Sequence, residues 1–503
     1  MNNKYKVYIL IASLLYIIYH FVTLAYSPLP WFDEVAFASI TNSFIKHHTF
    51  YQEAISIGTV GENAMYGPLY FALQSFIIKL LGWTIFNFRL SNLVFGFINL
   101  YLIYRICLHF KLKTRTIIIT IALIALERSY NQFLHSGRMD FMTVFFFLAS
   151  YLVFIKIPMQ NSARAIGLAA GTGLLMACAM LTTPRILYAF STYFFYFLYQ
   201  VYQHRKGGLK YVLPKYAVIL LTFCALFYLW IYVQFGTLQN YIYVNYVSNA
   251  KLRSHVGLSV SDLSFNSTSL YFVYAFICLA IVVATKRLHK NADLFLFTVP
   301  VIVSFLLLVN AGFSGRYYAM VTPFVCLLIA GAGTDVYDHV AFRVINYSII
   351  GVLFAGFIFK GMYICLTLDN RDPVANEQRI MQYIPAGATI AGDFEFYYFA
   401  RRKNCFYQCL FENGTDKQVF DHFNSNNYQY YIFNKKNFAI DVFKKEIFRN
   451  RYTLIATVDD KPRVDWLPRL VNKMGFIITE SYSCYIYKYT GGNSAQDSIS
   501  TVH

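Results

Sequence analysis

The sequence predicts a polytopic α-helical membrane protein with a small α/β domain at its carboxyl end. Three observations predict it. The 503-residue chain is 57% hydrophobic and 19% aromatic, with a mean hydropathy of +0.45. That is more apolar residue than a soluble core buries, and it suits a solvent that is itself apolar. The acids are unevenly spread: ten precede residue 368 and the other 15 follow it. The basic residues cluster between apolar runs. A net charge of +18 would suit a nucleic-acid binder, but these positions set membrane topology, and no nucleic-acid motif accompanies them.

The elements follow in order. MNNKYKVYILIASLLYIIYHFVTLAY has a short basic start and an apolar run near 7–26, ending in Ser-Pro-Leu-Pro. It is too long for the core of a cleaved signal peptide and reads as a retained anchor. GPLYFALQSFIIKLLGW (67–83) is apolar but short. About 15 helical residues span roughly 22 Å, less than a hydrocarbon core of about 30 Å, so it reads as an interfacial helix. Further crossings fall near 87–109, 116–129, 139–156, 165–182, 185–203, 212–234, 269–285, 294–310, 317–334 and 345–367. Together they make about 11.

With the amino end cytoplasmic, the inner loops hold Lys4 and Lys6, Lys111, Lys113 and Arg115, Lys156 and Arg164, Arg205, Lys206, Lys210 and Lys215, Lys286, Arg287 and Lys290, and Arg343. That is the positive-inside pattern, and an odd count places the carboxyl end outside. A compact chain without a large luminal insertion suits a bacterial inner membrane. From about residue 369 the composition turns polar. ATIAGD, YQYYIF, YTLIATV and FIITESYSCYIYKY read as strands, with ANEQRIMQYI and KQVFDHF helical between them. The expected division is therefore a membrane domain over 1–367, including a first outer loop at 27–86, an extracytoplasmic α/β domain over 368–490, and a disordered tail over 491–503. Six of nine cysteines lie in apolar runs, where Cys is a small core residue. Cys405, Cys409 and Cys484 leave a disulfide in the tail open.

The candidate site residues gather at one membrane face. In SPLPWFDEVAFASI, Asp33 and Glu34 follow the first crossing. Acids there suit the positive end of a helix, and a carboxylate held in that way also suits a general base. Glu62 and Tyr66 precede the interfacial helix and could share a cavity with them. ERSYNQFLHSGRMDFMTVFFF carries Arg128, His135, Arg138 and Asp140 between two crossings. Arg138 and Asp140 read either as a self-satisfied pair or as part of an anion site. Arg185 in LTTPRILY and Arg316 in NAGFSGRYYAMVTPF sit where positive-inside bias disfavours them. Each is either an interfacial arginine or one awaiting an anionic head group.

The order of these motifs resembles the membrane glycosyltransferases of the GT-C fold. An acidic pair after the first crossing precedes a Gly-Pro-Leu-Tyr interfacial helix. FNFRLSNLVFGFINLYLIYRI, GRMDFMTVFFFLASYL, LTTPRILYAF and GRYYAMVTPFVCLLIAGAG then follow. The similarity is to the protein O-mannosyltransferases (glycosyltransferase family 39) and the lipid A aminoarabinose transferases, and IPAGATIAGD resembles the extracytoplasmic domains appended to such enzymes. The resemblance implies an inverting transfer from a polyprenyl-phosphate sugar, on the outer side of the membrane, to a lipid, glycan or protein acceptor. It implies Asp33 as general base with Glu34 in support, Arg138 and Asp140 beside the cavity, and Arg316 on the donor phosphate. No cofactor is required, although the acidic cluster leaves room for a divalent cation. One departure stands out. Relatives carry Pro-Pro-Leu, sometimes after a basic residue, whereas this chain has Tyr66-Gly67-Pro68-Leu69. A transporter or flippase of a lipid-linked saccharide is the alternative, but no internal repeat is evident and the acids crowd one face.

Overall fold

The computed structural model describes residues 3–55, 66–243, 267–308, 315–409, 428–435, 451–460 and 481–491. Helix α1 (Asn3–Thr23) leads through a turn with two prolines into α2 (Phe32–His47). Then come α3 (Pro68–Leu81), α4 (Ile85–His109), α5 (Thr114–Leu126), α6 (Arg128–Leu134) and α7 (Asp140–Phe154). They are followed by α8 (Ala163–Met180), α9 (Ser191–Gln203), α10 (Leu209–Phe235) and α11 (Leu238–Ile242). Helices α12 (Ser267–Ala284), α13 (Ala292–Leu308), α14 (Gly315–Ala330) and α15 (Val340–Leu366) complete the bundle.

Among the described residues, six helices are long and apolar enough to cross a membrane, or seven if the bent pair α5–α6 is one span. The expected count of about 11 rests on apolar runs of any length, and several of these form helices too short for that measure. Several runs are shorter in the fold. The 139–156 run is helical only over Asp140–Phe154, and the 185–203 run divides between a 3-10 turn at Pro184–Phe190 and α9. Helices α5 and α6 meet at 60°. At the bend the Glu127 carboxylate accepts from the Tyr130 N–H at 2.8 Å and caps α6.

The bundle has a central axis. The apolar stretch Tyr317–Val336, α14 with the π-helical turn after it, is 94% buried in protein, against 17% for α10 and 22% for α15. The outer helices therefore face lipid, while α14 starts, at Tyr317, inside the assembly. Buried amides stitch α4 to its neighbours. Asn92 donates to the Phe133 carbonyl at 2.5 Å and Asn99 to that of Phe141 at 2.8 Å. In a medium without water such groups must find partners within the protein.

The carboxyl-terminal domain follows through α16 (Leu368–Arg371) and α17 (Pro373–Met381). Its strands are β1 (Thr389–Gly392), β2 (Phe406–Cys409), β3 (Tyr430–Asn434), β4 (Tyr452–Val458) and β5 (Cys484–Tyr489), with α18 (Tyr397–Arg402) between the first two. The sheet order is β2-β1-β3-β5-β4, with β1 parallel to β2 and β3, and the β3–β5 and β5–β4 pairs antiparallel. Four strands match the sequence reading. β2 was not foreseen, because four residues are too few to show alternation. KQVFDHF and the expected tail after residue 491 lie outside the described residues. The open disulfide resolves against pairing: all nine cysteines are free, and the Cys405 thiol donates to the Pro385 carbonyl at 3.5 Å.

This domain is fused to the bundle. One continuous apolar core runs from Val35, Phe37 and Ile40 of α2, through Phe88 and Met139, to Ile390, Phe396, Tyr398, Ile432 and Ile486 of the sheet domain. Polar contacts reinforce it. Arg401 donates to Asn42 Oδ1 at 2.7 Å, and the Gln408 amide to the Ala54 carbonyl at 3.0 Å. Deleting residues 368–503 would strip α2 and α3 of this cover. The truncated chain is expected to elute as aggregate on size-exclusion chromatography, where the full chain is monodisperse; a monodisperse truncation would show that the bundle closes without the sheet.

Candidate active site

Asp33 and Glu34 occupy the first turn of α2, behind an extended Trp31 that makes no side-chain cap bond. Both acids lie at the positive end of the helix. Successive helical residues point about 100° apart, and here the two carboxylates go to different partners.

Glu34 turns inward. Its two oxygens take a fork of hydrogen bonds from Arg89 Nε and Nη2, each 2.7 Å long, and both side chains are fully buried. The third face of the guanidinium donates to the Leu24 carbonyl at 2.9 Å, and the Gly137 N–H donates to Glu34 at 3.2 Å. A Cβ at Gly137 would lie 2.1 Å from the Phe88 ring and 3.2 Å from Glu34 Cγ. Only glycine admits this approach. Both carboxylate oxygens are engaged by these donors, away from Asp33's partner.

Asp33 turns toward Arg138, which is next to Gly137. The Arg138 guanidinium donates through Nη1 to Asp33 and through Nε to Asp140 Oδ2, the latter at 2.5 Å. Asp33 keeps 13% of its side chain exposed, while Arg138 and Asp140 keep 2% each. Burial alone would weaken the Arg138 charge. The Asp140 and Asp33 carboxylates outweigh it and hold the guanidinium well above its ordinary pKa. Its flat face lies 5.7 Å from the Trp31 ring and 5.4 Å from Phe37. The sequence left a self-satisfied Arg138–Asp140 pair and an anion site open. In the structure the pair exists, and it also clamps Asp33.

Arg185 completes the cluster from another direction. Thr183 accepts from its N–H at 3.4 Å and starts the 3-10 turn after α8. The guanidinium lies over Tyr317 at 4.5 Å and Tyr66 at 5.7 Å, and among the described residues it makes no ion pair. Tyr66 is placed there by Gly67, whose Cβ, if present, would fall 1.9 Å from the Leu181 carbonyl oxygen. Burial raises the Tyr66 pKa against the opposing pull of Arg185, so the phenol stays a donor. Tyr317 touches both cations, lying 6.0 Å from Arg138.

Asp33, Tyr66, Arg138, Asp140 and Arg185 therefore converge. Glu62 lies outside the described residues, and so does the side chain of Arg316, whose backbone begins α14. The sequence reading missed Arg89, Trp31 and Tyr317. Arg89 carried a signal: a lone arginine in an apolar run near 87–109 needs a buried acid. Among the described residues, no three His, Cys, Asp or Glu side chains gather as metal ligands. Arg138 lies between Asp33 and Asp140 and donates to both.

No family model matches the chain, and no curated protein matches it in sequence. In fold it is similar to ArnT from Cupriavidus metallidurans. Against the structure bound to undecaprenyl phosphate the TM-score is 0.62 at 11% identity, over 95% of this chain and 97% of that one. Against the apo state it is 0.61 at 10% identity, over 96% and 98%. The chain thus has the GT-C fold that its motifs resemble, sheet domain included.

The Glu34–Arg89 pair gives a stability prediction. Breaking a fully buried pair on one side strands a charge and costs about 3–5 kcal/mol. Arg89→Met and Glu34→Gln are each expected to lower the thermal unfolding midpoint sharply, and the Glu34→Leu/Arg89→Met double variant to recover part of the loss. Single variants that melt like wild type would show that the pair is dispensable.

Proposed function

We propose that this chain is an integral-membrane glycosyltransferase that moves a sugar from a polyprenyl-phosphate donor to an acceptor hydroxyl. One observation carries the reading: within a GT-C fold, a clamped carboxylate, Asp33, shares a cluster with a half-buried arginine, Arg185, that has no acidic partner among the described residues. The first suits proton abstraction and the second suits phosphate. The fold neighbour solved with undecaprenyl phosphate supports the donor class.

The chemistry follows from these residues. An Asp33 oxygen takes the proton from the acceptor hydroxyl as that oxygen bonds to the anomeric carbon. The bond from that carbon to the phosphate oxygen breaks, with inversion, and the electron pair leaves on polyprenyl phosphate. Arg185 stabilises the leaving phosphate through charge-assisted hydrogen bonds, with the Tyr66 and Tyr317 rings at its flank. Arg316, at the start of α14, is a second candidate for the phosphate. Arg138 donates to both Asp33 and Asp140, and so orients the base. Arg138 also supplies positive charge between the acids, so the proposed route has no step that calls for a divalent cation. The basic loops between the apolar runs support a site on the outer side of the membrane, and a bacterial inner membrane suits this reading. A lipid, glycan or protein could each present the acceptor hydroxyl.

Purified protein supplied with a panel of polyprenyl-phosphate sugars and membrane extract should release polyprenyl phosphate. Asp33→Asn should cut turnover by about 10²-fold or more while donor binding persists. Unchanged turnover would remove Asp33 as the base. Arg185→Gln should weaken donor binding by about ten- to a hundredfold, the usual size of a charged hydrogen bond's contribution. Equal donor affinity would take Arg185 out of the phosphate site. Chelation of divalent ions should leave the wild-type rate unchanged, and a rate that collapses and returns with added cation would replace Arg138 as the charge between the acids.

A further inference from the structure

A second group of cations lies away from Arg185 and shares no residue with it. Lys360, on α15, is only 6% exposed, yet it has no hydrogen bond or ion pair among the described residues. It faces α1. Phe357, one turn earlier, packs on Tyr19 at 4.3 Å and on His20 at 5.9 Å, and a Cβ at Gly361 would meet the Tyr19 ring at 3.1 Å. Residues three apart share a helix face, so Lys360 projects into the same seam. The charges that bear on it most are those of Arg371, Arg128 and Arg89, all positive. Arg89 is neutralised by Glu34, and Arg371 donates to Thr367 and to the Tyr26 carbonyl. Arg128 is half-buried, and the acid acting on it is its neighbour Glu127.

The seam also holds buried polar atoms without partners: Tyr19 Oη, Tyr363 Oη and His20 Nε2. The histidine is fixed by a chain of bonds. The Ser27 carbonyl can only accept, so His135 donates to it from Nδ1 at 2.8 Å. His135 Nε2 then accepts from His20 Nδ1 at 2.8 Å, which leaves His20 Nε2 bare. Among the described residues, an ammonium and two phenols share this seam and no acidic side chain is bonded to them. A buried ionisable group in a membrane helix is costly and marks a site by default.

We propose that the α1–α15 seam around Lys360 binds the phosphate of a membrane lipid, as a site separate from the donor site. Lipid is the fitting source because both helices carry exposed apolar side chains on their outer faces, Leu14, Leu15, Ile18 and Val22 on α1 and Phe354, Ile358 and Met362 on α15, so the seam lies between two lipid-facing helices. Lys360 lies about 9 Å from the end of α15 at 1.5 Å per residue, a depth from which a lysine reaches toward head groups. The Tyr19 and Tyr363 hydroxyls donate to the phosphate oxygens. His20 Nε2 accepts from a hydroxyl of the head group.

The test uses a fluorescent short-chain phosphatidylglycerol and delipidated full-length protein in neutral detergent. Wild type should bind it saturably. Lys360→Met should bind about tenfold more weakly or worse, as expected for loss of a charged hydrogen bond, while Lys360→Arg and Arg185→Gln should bind like wild type. Replacing a buried ammonium with an apolar chain should not harm folding, and Tyr363→Phe with Arg128→Gln carries the same test if it does. Equal binding to Lys360→Met overturns the site. Loss of binding in Arg185→Gln places the probe in the donor site and overturns it too. Displacement by equimolar inorganic phosphate makes the ligand a free anion and overturns the lipid assignment. None of these readouts depends on sugar transfer.

Discussion

A single buried ion pair sets the geometry on which the candidate site depends. Glu34 and Arg89 have no solvent to soften their charges. Such a pair is costly to bury and is retained only where every remaining donor and acceptor is satisfied. Here the completing partners are the Leu24 carbonyl and the Gly137 N–H. The pair therefore ties together the exit of α1, the start of α2, the start of α4 and the turn before α7. Asp33 is one residue from Glu34, and Arg138 is one residue from Gly137. Fixing the inner pair fixes the distance between the outer pair. Two adjacent carboxylates at a membrane edge thus differ: Glu34 builds the buried joint, and Asp33 keeps part of its side chain exposed.

The two arginines of the site are divided in the same way. Arg138 lies between two carboxylates, donating to both Asp33 and Asp140. Arg185 has aromatic faces where a carboxylate would otherwise sit. Ring contacts stabilise a cation by about 0.5–2 kcal/mol without cancelling its charge. That leaves a guanidinium held in place and still attractive to a phosphate. The basic residue that related motifs carry before Pro-Pro-Leu is absent here. The structure offers a physical equivalent: Gly67 presses the chain onto Leu181, Tyr66 lies beside it, and the cation comes from the end of α8.

Much of this was legible in the sequence because membrane physics leaves a coarse signature. Apolar runs, the basic loops between them and the crowding of acids into one loop gave the bundle, and alternation gave four of five strands. Asp33, Arg138, Asp140, Arg185 and Tyr66 were singled out because polar residues at a bilayer edge are few. What stayed hidden was pairing across distance. Arg89 and Glu34 are 55 positions apart, and nothing local says that one meets the other. The role of Gly137 was equally invisible, since it depends on a ring from a different helix. The bend at Glu127 stayed hidden for a related reason: hydropathy reports an environment and not where a backbone turns.

The sheet domain extends the same argument. α2 is held at its start by Arg89 and toward its end by Arg401, which reaches Asn42 from α18. Phe88 touches both systems, packing on Tyr398 at 5.7 Å while it fills the space left by Gly137. A helix anchored only at its first turn could pivot and carry Asp33 away from Arg138. Anchored at both ends, it cannot do so without opening an apolar core shared by two domains. Preorganisation of this kind is what an active site on a short surface helix lacks by default and must obtain from its surroundings. The fusion of sheet to bundle is thus part of the site, because it turns a local ion pair into a rigid support for the one carboxylate left facing outward.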